Sequence, residues 1–310
     1  RNSAATRVNA QGLVENVQIL SSNLVQNPSF SEEGSEEVSN GSFSQEGVQL
    51  VTNGDFSNGL TDWSVVGGSY ASVNNGILNS NNTLNGSWFG QYIAQDVSFV
   101  NGKTYKITFK AKNISGNLNL RLTQGANVIV NYNLTSEFVS YTYYYTSNAD
   151  NGSLRMFCND AVGQFEIDNV SVREVAQNWT LGTGWSIGTD KAISDGTSSN
   201  LDQANTFTSG TTYKVVYTIE DYISGDTRFR FTGASNENGT LRSSNGTYTE
   251  YIKLTNTQSV FRFIGSGVLS ITNISVKEVG QNWVFSTGWS IGEDIANCSG
   301  GAAQVLYQAN

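Results

Sequence analysis

One long repeat constrains this chain more than any other feature. Gln177-Asn-Trp179-Thr-Leu-Gly-Thr-Gly-Trp185-Ser-Ile-Gly188 returns 104 residues later as Gln281-Asn-Trp283-Val-Phe-Ser-Thr-Gly-Trp289-Ser-Ile-Gly292. That spacing is the size of a domain, not of a solenoid turn. Closing segments match as well: Ile167-Asp-Asn-Val-Ser-Val172 and Ile271-Thr-Asn-Ile-Ser-Val276. Between them lie Gly102-Lys-Thr-Tyr105 and Gly210-Thr-Thr-Tyr213. The repeat predicts two complete units, 50–176 and 177–280, and the opening of a third at 281–310. Gln308-Ala-Asn310 matches Gln203-Ala-Asn205, so the natural polypeptide is expected to continue; the alternative is that the last thirty residues dock on unit two or on a neighbouring subunit.

Within each unit apolar residues alternate with polar ones. Tyr105, Ile107 and Phe109 oppose Lys106, Thr108 and Lys110, and Leu118, Leu120 and Leu122 oppose Asn119, Arg121 and Thr123. Phe229 and Phe231 oppose Arg228 and Arg230. Period-two alternation broken by Asn-Gly and Ser-Gly turns predicts an all-β chain of antiparallel sandwiches, each sheet buried on one face. No segment carries a helical period.

A shorter repeat occupies the N-terminus. Asn27-Pro-Ser-Phe30, Asn40-Gly-Ser-Phe43 and Asn53-Gly-Asp-Phe56 follow one another with a period of 13 residues. Thirteen residues cannot enclose a core. Residues 1–49, which hold the only proline and a run of glutamates, are therefore expected to form an extended acidic stalk or an unstructured linker. The third copy is expected to be the entry strand of unit one.

Composition removes several function classes. Without histidine there is no Ser-His-Asp or Cys-His catalysis and no imidazole metal site. Two distant cysteines, Cys158 and Cys298, make neither a zinc ribbon nor a disulfide framework. A net charge of −9 disfavours nucleic acid as a partner. No apolar run is long enough to span a membrane as a helix. The acids form no marked pair flanking a cleft, so a glycoside hydrolase is not expected and the chain reads as non-enzymatic.

Asn53-Gly-Asp-Phe56 with Gly59-Leu-Thr-Asp-Trp63, Gly102-Lys-Thr-Tyr105 and Ile167-Asp168-Asn-Val-Ser-Val172 resemble the jelly-roll carbohydrate-binding modules of the family 4/9/22 type. Unit two keeps the Trp, the Gly-x-x-Tyr and the closing strand but lacks the Asn-Gly-x-Phe opening. The resemblance implies tandem jelly rolls and glycans as partners. It also implies a structural calcium in unit one, held by Asp168 with Asp55 of the opening strand; Thr272 at the matching place in unit two removes that carboxylate. A second resemblance, carried by Arg1-Asn-Ser-Ala-Ala-Thr-Arg-Val-Asn-Ala-Gln-Gly-Leu-Val-Glu15 and by the Trp-Ser-Ile-Gly units, is to structural proteins of tailed phages. It implies a tail-fibre or appendage protein at the virion surface, homo-oligomeric and in contact with other virion proteins. The alternatives are secreted bacterial polysaccharide-binding modules of a larger protein, and purely architectural decoration.

Aromatic residues are the candidate sugar contacts, since saccharide rings stack on exposed aromatic faces. Tyr141, Tyr143 and Tyr145 share one face of a strand, where they either present a stacking platform or fill the core. Trp88 and Tyr92 in the Asn85–Tyr92 region are the second candidates. Trp63, Trp179, Trp185, Trp283 and Trp289 recur in opening motifs and are assigned to core packing.

Overall fold

The computed structural model describes residues 5–8, 10–17, 25–83, 90–116, 118–159, 162–301 and 304–308. It is all-β, with no helix among these residues. Near the N-terminus β1 (Ala5–Val8) and β2 (Val14–Val17) form a hairpin, followed by the short strands β3 (Glu33–Glu36) and β4 (Glu46–Gln49). Unit one contains β5 (Ser64–Val66), β6 (Ala71–Asn74), β7 (Ile77–Asn82), β8 (Tyr92–Asp96) and β9 (Thr104–Ser115). It continues with β10 (Asn119–Gln124), β11 (Asn127–Asn133), β12 (Val139–Thr146), β13 (Ser153–Asn159) and β14 (Gly163–Val175). Unit two contains β15 (Trp179–Leu181), β16 (Trp185–Gly188), β17 (Lys191–Asp195), β18 (Ser199–Phe207) and β19 (Thr212–Ser224). Then come β20 (Thr227–Gly233), β21 (Asn236–Asn238), β22 (Gly246–Lys253), β23 (Gln258–Gly265) and β24 (Val268–Val279). The chain ends with β25 (Val284–Phe285), β26 (Trp289–Gly292), β27 (Ile295–Cys298) and β28 (Leu306–Tyr307).

Each unit is a sandwich of two antiparallel sheets. Unit one sets the order β11-β10-β13-β8-β5 against β12-β9-β14-β7-β6, and unit two sets β15-β18-β23-β20-β21 against β16-β17-β24-β19-β22. The alternating apolar residues fill the space between. Leu120, Leu122, Met156, Ile107 and Phe109 are buried in unit one, and Phe229, Phe231, Phe261, Phe263 and Tyr217 in unit two.

Residues 25–49 are not a free stalk. They belong to a strap that supplies one opening motif to each unit, in reverse order. Phe56 packs on Trp63 of unit one, Phe43 on Trp179 of unit two, and Phe30 on Trp283 of the C-terminal fragment, with ring centroids 5.3, 5.2 and 5.0 Å apart and the same 39° tilt. In each case the indole N–H donates to the backbone carbonyl of the repeat's asparagine: Trp63 to Asn53, Trp179 to Asn40, Trp283 to Asn27. The opening that unit two lacks in its own sequence is therefore delivered from 139 residues upstream.

The 13-residue period has a local cause. Asn27, Asn40 and Asn53 all have positive φ, as do Phe30, Phe43 and Phe56. Asparagine tolerates that region, and its Oδ1 accepts a hydrogen bond from the backbone N–H five residues on, at Glu32, Gln45 and Asn58. Phenylalanine is strained there, and its packing on the tryptophan holds it in place. Glycine after the asparagine is a matter of space. A Cβ on Gly41 would lie 1.9 Å from the Ile274 carbonyl oxygen, and one on Gly54 2.0 Å from that of Val170. Ile274 and Val170 donate their N–H groups to the carbonyls of these same glycines. Pro28 takes the glycine's place in the first copy.

Between plugs, the strap forms sheet. β14 pairs first with β7 and, at its C-terminal end, with β4; β24 likewise pairs with β17 and then with β3. Glu46 bonds Lys106 at 2.6 Å, and Glu33 bridges Lys214 and Lys277 at 2.6 and 2.9 Å. Glu46 and Glu33 of the acidic run thus complement a lysine at one position in both units, Lys106 and Lys214. At the C-terminus, Lys253 of β22 donates to the Phe285 carbonyl, and Tyr251 lies beside Gly292.

Candidate functional site

The outer face of unit one's five-stranded sheet lies opposite its buried leucines. Register places Arg155 across from Ala94, Ser64 across from Ala94 on the other side, and Arg121 across from Asn131. The Arg155 guanidinium sits 4.7 Å from the Tyr92 ring centroid. Arg121 donates from Nε to Asn131 Oδ1 at 2.7 Å, and Asn119 donates to Asn133 at 2.9 Å. Arg155 Nε is buried with no hydrogen-bond partner among the described residues. Alongside runs a cleft of about 450 Å³, lined by Ser64, Val66, Tyr92, Ala94, Asp96 and Ser153 of the sheet and walled by Leu50 and Thr52 of the strap. The face joins one partly buried aromatic ring to guanidinium, amide and hydroxyl groups, the combination that orients a hydroxyl-rich ring.

The sequence candidates divide. Tyr92 stands on this face. Trp88 lies outside the described residues. Tyr141, Tyr143 and Tyr145 face inward: Tyr145 is buried in the core, while Tyr141 and Tyr143 are half-buried and pack against it. Tyr141 stacks on Phe109 at 5.1 Å and packs on Tyr132, Tyr143 packs against the core, and Tyr145 is buried with its hydroxyl donating to Gln124. The reason is register: all three lie opposite the inward residues Phe109, Ile107 and Tyr105 of β9, and residues directly across a ladder share a face. Tyr144, the polar-side member of that strand, packs instead on unit two. Trp63, Trp179 and Trp185 are buried.

Asp55 and Asp168 each spend carboxylate oxygens on neighbouring residues. Asp55 Oδ1 accepts from the backbone N–H and hydroxyl of Ser57, and these hydrogen bonds lower its pKa below the ordinary value. Asp168 accepts with both oxygens from Asn169. No cluster of three His, Cys, Asp or Glu side chains occurs among the described residues.

Sequence reasoning missed Arg121 and Arg155. The signal was present, since both sit at outward positions of strands whose alternate residues are plainly core. Cys158, on the inner face of β13, is buried, and its thiol pKa is pushed up to about 12 by that burial; Cys298 is exposed.

Residues 48–161 match a family model described as a carbohydrate binding domain. No curated protein matches the chain. Among solved structures, one titled "CBM4 structure and function" is 19% identical, covering 40% of this chain and 99% of its own, with a TM-score of 0.36. The tandem CBM22-1-CBM22-2 domain of Paenibacillus barcinonensis Xyn10C is 11% identical, covering 76% and 98%, with a TM-score of 0.34. A triple jelly roll from the turret of an archaeal virus is 13% identical, covering 73% and 61%, at 0.21.

Proposed function

We propose that unit one binds a saccharide on the outer face of its five-stranded sheet, with Tyr92 as the stacking ring and Arg155, Arg121, Asn119 and Asn131 as hydrogen-bonding groups. The family match over 48–161 supports the ligand class, and the Tyr92–Arg155 pair beside the cleft is the observation that carries the site. The action is binding without chemistry. Asp62 and Asp96 both line the cleft, but both are exposed, whereas a general acid needs a carboxyl shielded from water.

In this reading the protein works outside the cell, as a polysaccharide-targeting module. The finer setting, an adhesion protein on a virion surface, rests on the Arg1–Glu15 resemblance and leaves the site unchanged. The test is a glycan array probed with the whole chain and with Tyr92→Ala and Arg155→Gln. Loss of about 1.4 kcal/mol of stacking or hydrogen bonding lowers affinity about tenfold. Binding that both folded variants retain in full would remove the site.

A further inference from the structure

Unit two presents the corresponding face with a different charge. Gln95 and Gln203 clasp the strap in the same way, each accepting from and donating to one strap residue, Thr52 and Ser39 respectively, and so set the alignment of the two units. From that anchor the ladders match Arg155 with Arg262, Arg121 with Arg228, Tyr92 with Asn200, Ala94 with Asp202 and Thr123 with Arg230. Both units thus keep two arginines in the same places. Unit two exchanges the aromatic ring for an amide and adds a third arginine.

The three guanidiniums are not equivalent. Asp202 binds Arg262 in bidentate fashion, Nε to Oδ1 at 3.0 Å and the terminal nitrogen to Oδ2 at 2.6 Å, which neutralises and orients it. Arg230 sits directly across the ladder from Arg262 and donates only to the neutral Asn238. Arg228 lies two residues along the same strand, about 7 Å away. Its Nε is buried without a hydrogen-bond partner. Among the described residues neither Arg228 nor Arg230 has a carboxylate in an ion pair. Burial, and after it the charges of Arg228 and Arg262, pushes Arg230 below the usual arginine range. An arginine pair held side by side with unused donors fits oxyanions that accept several N–H bonds at once. The chain's net charge of −9 opposes a polyanion only at long range, because exposed charges are screened beyond about 8 Å at physiological salt.

We infer that the outer face of unit two binds the acidic groups of an anionic polysaccharide, carboxylates or sulfates, through Arg228 and Arg230, with Arg262 fixed beside them by Asp202. The saccharide part rests on the reading proposed for unit one; the anionic part rests on unit two's own residues.

The test uses the whole chain against immobilised polygalacturonate, dextran sulfate, neutral dextran and inorganic polyphosphate, with the glycan array for unit one run in parallel. The expected result is retention by at least one acidic polysaccharide at least tenfold above neutral dextran. Arg228→Gln/Arg230→Gln should lose that margin and Tyr92→Ala should keep it. Polygalacturonate and dextran sulfate separate carboxylate from sulfate as the preferred group. No retention by either acidic polymer overturns the inference, as does unchanged retention of the folded double variant. Polyphosphate binding as tight as the acidic polysaccharides overturns the saccharide part. If the double variant fails to fold, Arg230→Thr, which restores unit one's residue, takes its place under the same criteria. Tyr92-dependent array binding without acidic retention leaves the unit-one reading standing and ends this one; acidic retention without array binding does the reverse.

Discussion

Units one and two share strand order, closing bulge and plug geometry, yet they close differently. In unit one the plug and its tryptophan partner are 10 residues apart; in unit two they are 139 apart. Closing the longer loop from an unfolded chain costs about 2 kcal/mol more in entropy. That cost falls if unit one folds first. Once unit one is folded, β4 lies on the end of β14, with Glu46 across from Val175. Phe43 is then three residues from one side of that pairing and Trp179 four from the other, so a long closure becomes a short one. The comparison teaches that unit two's plug reaches it past unit one, while unit one's plug comes from its own entry strand.

The largest expected effect tests this asymmetry. A chain lacking residues 1–43 removes Val38, Phe43 and β3 from unit two and leaves unit one's plug intact. Hydrogen exchange should then show β24 and β19 unprotected and β14 and β9 protected; equal protection in both units would break the comparison. A synthetic peptide spanning residues 30–45, added in excess to that chain, should restore protection in unit two, because a segment that binds only the folded unit stabilises it by mass action.

Next come the plugs one by one. Phe43→Ala should destabilise unit two by about 3–5 kcal/mol, the usual cost of deleting a fully buried phenylalanine side chain. Phe56→Ala should cost unit one a similar amount and also lower protection in unit two, whereas Phe43→Ala leaves unit one unchanged. Phe30, only partly buried, should cost less than either. Unit-resolved hydrogen exchange of the three variants measures the coupling, and symmetric coupling would refute the order of assembly.

Acidification sharpens the comparison more gently. Hydrogen bonds from Lys214 and then Lys277 hold Glu33 below its ordinary pKa. A carboxyl depressed on folding contributes stability above its unfolded pKa, and that contribution is lost as pH falls through the depressed value. Protection of β3 should therefore fall on descending from the ordinary glutamate range to below the lowered value, and Glu33→Gln should flatten the dependence. The smallest perturbation is chemical labelling. Cys298 should react with a maleimide at once, while Cys158, buried and poorly ionised at neutral pH, should react only when unit one opens. Fast labelling of Cys158 in the folded chain would contradict its place in the core.

Much of this was legible in residues. The 104-residue repeat, the alternation and the turn signals lead to two antiparallel sandwiches, and the alternation that buries Phe229 and Phe231 also turns Arg228 and Arg230 outward. Periodicity puts Tyr141, Tyr143 and Tyr145 on one face without saying which, and the ladder with β9 turns that face inward. Tyr92 was legible only as an aromatic in a loop region; its pairing with Arg155 joins residues on separate strands.

By itself the sequence determined the 104-residue repeat, the all-β class, the alternation that sets the faces of the strands, and the existence of three Asn-x-x-Phe copies and of recurring tryptophans. These are local or periodic properties, set by backbone geometry and side-chain chemistry within a few residues. Tertiary structure alone decided that the copies are plugs rather than a stalk, that they fill the units in reverse order, and that the arginines of neighbouring strands form one face. Each of these depends on which strands lie side by side, and that pairing is settled by long-range packing of the whole sandwich, where no single segment carries the information.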